Sequence, residues 1–203
     1  MSVLSHALLC LILVSCCPEA FVAILVCEQL QHDEVVLLRG CKRFVDYSGY
    51  EDTFHYRGHW HEQNPSHIQD ILVIDACVSG QFTQTNIDRD LGKAWTAFEK
   101  SNKEIIVTGH WGCGVFGGDK TFKFLQQICV AMVLGDRFKR LDYSVYSDET
   151  LASKFNQLLA NLEEKKKTVA DLYELMGTFR ETGNCLGIRV TFSDYVDAWI
   201  SKS

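Results

Sequence analysis

The chain has 203 residues, 47% of them apolar, and a formal net charge of −6. This length and composition allow one hydrophobic core of ordinary size, and with 2 prolines and no low-complexity tract the sequence shows no linker or internal repeat. The acidic balance argues against direct binding to DNA, because proteins that grip nucleic acid usually carry clustered basic residues.

The first 17 residues form an apolar segment in which Leu8 to Val14 is almost wholly hydrophobic. Its length suits the apolar part of a secretory signal, and Val14-Ser15-Cys16 offers small or modest residues for cleavage, but no lysine or arginine precedes it. It is too short to span a membrane. The other interpretation is a helix that substitutes in packing for lost sequence, or a chain start created by an alternative exon or an incomplete gene model. We treat residues 1–17 as a separate segment and residues 18–203 as one domain.

Strand-like and helix-like patterns alternate along the rest of the chain. In chain order they predict a helix at 19–31, strands at 35–39, 53–56 and 71–76, a helix at 87–100, a strand at 104–108, a helix at 120–134, a strand at 141–145, and helices at 149–165 and 169–179. Such alternation is typical of an α/β fold with a largely parallel sheet, whose ligand site lies at the C-terminal ends of the strands.

An aromatic block follows the first predicted strand, with Tyr47 and Tyr50 separated by Ser48-Gly49. A turn there can present one ring as the flat apolar surface that a nucleobase needs. Such a pair is more often part of a core than of a binding site, so this pattern alone leaves both interpretations open.

Residues 108–119 read Thr-Gly-His-Trp-Gly-Cys-Gly-Val-Phe-Gly-Gly-Asp and hold five of the 14 glycines. The β-branched run before them predicts a buried strand, and apolar residues at helical spacing from Phe122 to Val133 predict a helix. Glycine admits positive φ and lets backbone N–H groups approach a ligand, while the helix N-terminus adds partial positive charge. The pattern indicates a loop that binds diphosphate without a metal. A tight turn with no ligand is the alternative.

Two common nucleotide motifs fit this loop poorly. A Walker-type loop has glycine directly before Lys-Ser/Thr, whereas Asp119 separates Gly118 from Lys120-Thr121. Gly112, Gly114 and Gly117 have the G-x-G-x-x-G spacing, but that motif opens the first βαβ unit of a domain, and this loop lies past the middle of the chain.

Lysines near the loop are the nearest source of positive charge for a bound polyanion. Lys120 and Lys123 both stand at the start of the helix that follows it. Isolated lysines are most simply part of a solvated helix face, and we expect that of both. We expect the same of the run from Glu163 to Lys167, whose lysines suit the C-terminal end of a helix.

The nine cysteines show no C-x-x-C pair and no paired histidines at zinc spacing. We expect reduced, partly buried thiols, with Cys27, Cys77 and Cys129 packing as small apolar residues. Cys113 lies on the loop, where a helix N-terminus lowers a thiol pKa, but no histidine is assigned to activate it as a nucleophile. Four histidines fit a solvent-facing loop or hairpin better than a metal site: His55, His59, His61 and His67.

From about residue 18 to residue 203 the chain resembles the C-terminal part of the catalytic macrodomain of the poly(ADP-ribose) glycohydrolase family. Five blocks carry the resemblance in family order: Cys17-Pro18-Glu19, Phe44 to Tyr50, Val73 to Ala76, Thr108 to Asp119 and Thr168 to Tyr173. The resemblance implies an α/β, macrodomain-like fold with a mixed, largely parallel sheet and flanking helices, lacking the first strands and the catalytic loop of the family.

The same resemblance implies an ADP-ribose site without a cofactor or a metal. The position of Tyr50 stacks on the adenine in this family, the position of Phe116 packs on the ribose, and the loop wraps the diphosphate. His110 stands where the family often has asparagine, and an imidazole can still donate one hydrogen bond. The implied ligand-binding residues are Tyr50, His110, Gly112, Cys113, Gly114, Val115 and Phe116.

Hydrolysis of a ribose–ribose bond needs a carboxylic acid, which this family supplies from a Gln-Glu-Glu triplet preceded by Gly-Gly-Gly. Counting back from Cys17-Pro18-Glu19 places that triplet at residues 9–11, which read Leu-Cys-Leu. Glu19 is the nearest acid, but it matches another family position and lies more than about two helical turns away. We therefore assign no catalytic residue and expect this chain to be inactive.

Three classes of function stay open. The first is a glycohydrolase by descent, and the second is a non-catalytic ADP-ribose-binding or regulatory module, or a fragment or isoform of an active enzyme. The third is a secreted cysteine-containing protein. The resemblance implies ADP-ribose or poly(ADP-ribose), also on modified proteins, as the partner, and the nucleus or cytoplasm as the location.

Overall fold

The structure is a computed structural model, and it describes residues 16–27, 30–49, 53–61, 68–114, 116–179 and 190–202. The chain divides into two compact units, Met1–Ile74 and Asp75–Ser203. Among the described residues, no helix has both the length and the apolar character needed to cross a bilayer. The single domain expected over residues 18–203 stays a prediction.

The first unit is built from antiparallel strand pairs. A 3₁₀ turn at Pro18–Ala20, with proline in a favourable first position, leads into helix α1 (Phe21–Val26). Strand β1 (Val36–Lys42) pairs with β4 (Ile68–Val73), and β2 (Val45–Ser48) pairs with β3 (His55–His59). A small core is formed by the buried residues Cys16, Cys17, Ala20, Cys41 and Ile71.

The second unit combines helices with one parallel strand pair. In chain order it contains α2 (Gln84–Ser101), β5 (Ile105–Thr108), α3 (Lys120–Leu134), β6 (Arg140–Tyr143), α4 (Glu149–Glu164), α5 (Val169–Thr178) and α6 (Phe192–Lys202). Strands β5 and β6 run parallel, with Thr108 opposite Tyr143, and α3 lies in the crossover that parallel strands require. The C-terminal ends of both strands therefore meet at one edge, where the glycine loop begins.

Aromatic packing around α3 fixes the elements that flank the loop. The ring of Phe122 meets that of Phe192 edge-on at 4.9 Å. Phe124 stacks on Phe155 at 4.0 Å, and the ring of Tyr143 lies 5.0 Å from that of Phe124. Burying one such side chain contributes roughly 1.5–3 kcal/mol, and edge-on ring pairs add to this. The start of α3 and the end of β6 are thereby held to the same core.

The α/β alternation predicted from the sequence is confirmed, and α3 begins and ends at the predicted residues. The sequence predicts a largely parallel sheet, but among the described strands only β5 and β6 pair in parallel. The other two described strand pairs are antiparallel. The kind of connection accompanies the difference. No described helix lies between β1 and β4 or between β2 and β3, whereas α3 supplies the helical crossover between β5 and β6.

Two elements, β2 and α6, are absent from the sequence-based assignment. A readable signal precedes α6: Thr191 Oγ1 donates to Asp194 Oδ2 at 2.6 Å, and the Asp194 N–H donates back to Thr191 Oγ1 at 3.1 Å. Thr191-x-x-Asp194 before an apolar run is a capping-box pattern. That pattern predicts the start of a helix at this point.

Candidate functional site

The glycine loop leaves the C-terminal end of β5 and closes on itself before α3 begins. The Gly118 N–H donates to the Gly112 carbonyl at 3.0 Å, and the Gly117 N–H donates to the Gly114 carbonyl at 2.9 Å. The Cys113 N–H donates to the His110 carbonyl at 3.0 Å. The predicted strand, glycine loop and helix are therefore present, and the described loop residues form hydrogen-bonded turns at the edge where α/β folds place ligands.

The loop glycines are subject to different steric constraints. Gly112 has φ of +75°, and a Cβ there would lie 2.6 Å from Ala76 Cβ. A Cβ on Gly118 would lie 2.7 Å from the Gly112 carbonyl oxygen. Gly114 does not have a positive φ, and a Cβ on it would meet no atom within 4 Å, so the folded chain itself does not require glycine at that residue.

Backbone donors in the loop are available to an anion. Within the described part of the chain, the N–H groups of Gly112 and Gly114 have no hydrogen-bond partner. The Asp119 carboxylate instead caps α3, accepting from the Phe122 N–H at 2.9 Å, and burial raises the pKa of this carboxyl. The Asp119 N–H is held by Gln81 Oε1 at 2.9 Å. The helix N-terminus is thus partly occupied by its own cap, and among the described residues Gly112 and Gly114 are loop residues whose N–H groups are left without a partner.

His110 lies among aromatic rings beside the loop. Its ring is 5.8 Å from that of Tyr143 and 5.2 Å from that of Tyr146. Burial, and then the charge of Lys120, lower the pKa of His110, so the imidazole is neutral near pH 7. His110 Nε2 and the Tyr143 hydroxyl are both buried without a hydrogen-bond partner among the described residues. Two buried polar atoms beside the loop therefore have unused hydrogen-bonding capacity.

Tyr146 lies beside the loop and is a candidate site residue that sequence reasoning missed. It is 57% exposed, has φ of +52°, and its ring approaches Gly109, where a Cβ would lie 3.5 Å from two of its atoms. Positive φ at a bulky residue is uncommon and recurs at functional sites. An aromatic residue just after the strand parallel to β5 was the signal in the sequence, because parallel strands end at one edge.

Lys123 corrects the expectation of a solvated helix face. Its side chain is buried, pairs with the carboxylate of Asp90, and donates to Gln126 Oε1 at 3.0 Å. Met132 and Val133, expected on the apolar face of the same helix, are exposed. The expected solvent exposure of Lys123 is wrong because its aliphatic chain packs against the loop and its ammonium pairs with buried groups. Helical periodicity alone does not reveal such contacts. Lys120 is exposed, as expected.

The cysteines behave mainly as expected. The described ones are free, and Cys129 is buried, but Cys27 is exposed because α1 ends one residue before it. Burial raises the pKa of Cys113 to about 11, so its thiol is protonated at neutral pH and is not an activated nucleophile.

The remaining predicted site residues are only partly visible. Tyr50 and Val115 lie outside the described residues, and Phe116 is half-buried. Tyr47 packs against Phe54 at 5.3 Å in the first unit. The shared cleft of Tyr50 and Phe116 therefore stays a prediction.

Acidic and metal-binding alternatives find little support in the described residues. Glu19 accepts a hydrogen bond from the Lys42 N–H, which ties it to the end of β1. No group of three or more His, Cys, Asp or Glu side chains within the described ranges is placed to hold a metal ion. His55 and His59 lie on β3 of an exposed hairpin, as expected.

The fold and the loop together define a class of protein: an α/β protein with a glycine loop between a parallel strand and a helix. Residues 4–153 match the family described as poly (ADP-ribose) glycohydrolase, macro domain fold. The chain belongs to the poly(ADP-ribose) glycohydrolase family, and its fold is of the α/β macrodomain type. The match begins earlier than residue 18, and the boundary at residue 17 stays a prediction.

Similar proteins carry the same family name. Poly(ADP-ribose) glycohydrolase 1 of Caenorhabditis elegans is 29% identical over 188 residues, which cover 79% of this chain and 23% of that protein. Poly(ADP-ribose) glycohydrolase 2 of the same organism is 27% identical, over 80% of this chain and 38% of that protein. The probable poly(ADP-ribose) glycohydrolase 2 of Arabidopsis thaliana is 22% identical, over 77% of this chain and 39% of that protein. The chain thus spans well under half the length of these curated relatives.

Proposed function

We propose that the glycine loop binds the diphosphate of ADP-ribose, free or as a unit of poly(ADP-ribose) on modified proteins. The observation that carries the proposal is Gly114, where the fold needs no glycine and the N–H has no partner among the described residues. A residue that has no side chain and faces open space suits close approach of the backbone to a ligand. The unpartnered N–H groups of Gly112 and Gly114 supply donors suited to an anion.

The groups beside the loop suit the rest of the nucleotide. The exposed ring of Tyr146 offers a flat apolar surface next to His110, and Phe116 stands two residues after Gly114. Aromatic faces bind bases and sugars, while buried unpartnered atoms such as His110 Nε2 fix orientation. Family resemblance adds Tyr50 as the residue that stacks on adenine. The resemblance also adds Cys113 and Val115 to the ligand-binding residues.

The family name points to hydrolysis of ribose–ribose glycosidic bonds as the reaction of the whole proteins. That reaction needs a carboxylic acid at the scissile bond. Residues 9–11 read Leu-Cys-Leu where the family has Gln-Glu-Glu, and the carboxylate of Glu19 is engaged by the Lys42 N–H. We therefore propose that residues 1–203 by themselves bind ADP-ribose without hydrolysing the polymer, in the nucleus or cytoplasm and without direct binding to DNA.

Calorimetry with ADP-ribose on the folded chain tests the proposal. Gly114→Ala adds a methyl group where the ligand would approach, so we expect unchanged stability and about tenfold weaker binding, the size of one lost charge-assisted hydrogen bond. Gly92→Ala is the matched control, because Gly92 lies on α2 and also has nothing within 4 Å of its Cβ position. Absent binding by the folded wild type, or equal affinities of wild type and Gly114→Ala, would contradict the proposal.

A further inference from the structure

A buried cluster of charges lies in the second unit on the side of the loop formed by α2 and α3. Lys123 and Asp90 are 1% and 0% exposed and form an ion pair. Arg89 bridges Asp90 and Asp75, and Lys93 pairs with Asp75. The cluster therefore has one end at Lys123 and another at Lys93.

The Lys123 end contacts the loop directly. Its Nζ lies 4.6 Å from the centre of the Trp111 ring, within range of a cation–π interaction. Its Cε would lie 3.4 Å from a Cβ on Gly112. Asp90 accepts from the Cys77 N–H at 3.2 Å, which fixes the segment next to Ala76, against which Gly112 also packs. Lys123 and Asp90 thus support two consecutive loop residues from beneath.

Stability alone gives a weak reason for such a cluster. Desolvation offsets most of the attraction within a buried ion pair, and apolar residues of similar volume often stabilise a core equally well. A fixed ammonium under Trp111, in contrast, defines where the following backbone lies. Gly112 is the next residue, and its N–H has no hydrogen-bond partner within the described ranges.

We propose that Lys123 is a positioning residue for the loop. Its ammonium, held by Asp90 and Gln126, fixes the Trp111 ring and thereby orients the Gly112 N–H toward a bound anion. The role in binding rests on the proposed function of the loop, whereas the role in ordering the loop does not.

Hydrogen exchange of the unliganded chain separates these roles. Lys123→Met removes the ammonium next to Trp111, and we expect faster exchange of the Gly118 N–H, which bonds to the Gly112 carbonyl. Lys93→Met is the matched control, because it removes a buried cation from the same cluster at the end that pairs with Asp75. It should leave exchange at Gly118 unchanged relative to the global unfolding rate. Equal protection at Gly118 in Lys123→Met and Lys93→Met would overturn the proposal.

Binding supplies the second measurement. We expect Lys123→Met to weaken the binding of ADP-ribose by about tenfold or more, which is the effect of losing one desolvated cation–π contact. Lys93→Met should leave the affinity for ADP-ribose unchanged. If the wild type binds no ADP-ribose, the proposed function fails while the exchange result still tests Lys123. Should Lys123→Met not fold, Trp111→Leu keeps the Lys123–Asp90 pair and removes the ring. Unaltered Gly118 exchange in Trp111→Leu would likewise overturn the proposal.

Discussion

At the scale of single residues, the loop contains two kinds of glycine: those that the fold requires, and Gly114, which the fold does not require and which faces open space. Gly112 and Gly117 both have positive φ, but only Gly112 has a close neighbour at its Cβ position. The glycine count alone predicts a loop and not this division. Neighbours such as Ala76 are distant in sequence, so their approach is visible only in the folded chain.

Gly112→Ala is expected to destabilise the chain more than Gly117→Ala. Both add a left-handed alanine, at roughly 1–2 kcal/mol. Gly112→Ala also forces a methyl group against Ala76, which adds about 1–3 kcal/mol of overpacking. Denaturant unfolding of the two variants measures the difference. Equal losses of unfolding free energy in the two variants would contradict this prediction and would mean that Ala76 moves aside without strain.

His110 makes the stability of the chain sensitive to acid. Its pKa in the folded chain lies below the ordinary 6.5, so as the pH falls below about 6.5 the unfolded chain binds the proton first. This residue therefore contributes stability above that pH that is lost on acidification. Burial and then the charge of Lys120 lower the pKa of His110, Asp148 raises it, and the rings of Tyr143 and Tyr146 lie beside the imidazole.

In His110→Asn we expect a shallower loss of unfolding free energy between about pH 7 and pH 5.5 than in the wild type, because asparagine does not titrate. Urea unfolding at a series of pH values gives both curves, and the other histidines contribute equally to each. Parallel curves for the two proteins would show that folding leaves the pKa of His110 unperturbed.

At the scale of elements, local signals in the sequence predict more than long-range contacts do. Thr168 and Asp171 form the capping box that begins α5, and Asp119 caps α3, both readable from adjacent residues. The contact of Lys123 with Asp90 joins residues 33 positions apart, and no periodicity predicts it. The α3 helix is therefore placed correctly from sequence while its buried face is misassigned.

Loss of the Asp119 cap should destabilise the chain and loosen the loop together. Asp119→Ala removes the acceptor for the Phe122 N–H, and we expect a loss of about 0.5–2 kcal/mol. Asp119→Asn keeps an acceptor and should restore most of it. Thr168→Ala removes a cap from α5 as a comparison of similar size. Thermal unfolding ranks the stabilities of the variants. If Asp119→Ala is as stable as Asp119→Asn, the cap is dispensable.

At the scale of the whole molecule, the family is readable from the sequence, and the pairing of the strands is not. The order of the motif blocks spans most of the chain and identifies the family, which the match over residues 4–153 confirms. The antiparallel pairing of β1 with β4 depends on contacts between residues about thirty positions apart, such as Leu38 with Ile71. Alternation of strands and helices predicts a parallel sheet only where a helix provides the crossover, as α3 does.

Catalysis is the property of the whole molecule that residues 1–203 are expected to lack. A general acid contributes typically ~10² to 10⁴-fold, and further acceleration depends on holding the substrate in a complete cleft. The Gln-Glu-Glu and Gly-Gly-Gly elements do not occur in these residues. We expect purified 1–203 protein to release no ADP-ribose from poly(ADP-ribose) above background, measured beside an active family member, while it still binds ADP-ribose. Turnover that is lost in Gly114→Ala would refute this and direct attention to Glu19 or another carboxylate, with Glu19→Gln as the variant that decides between them.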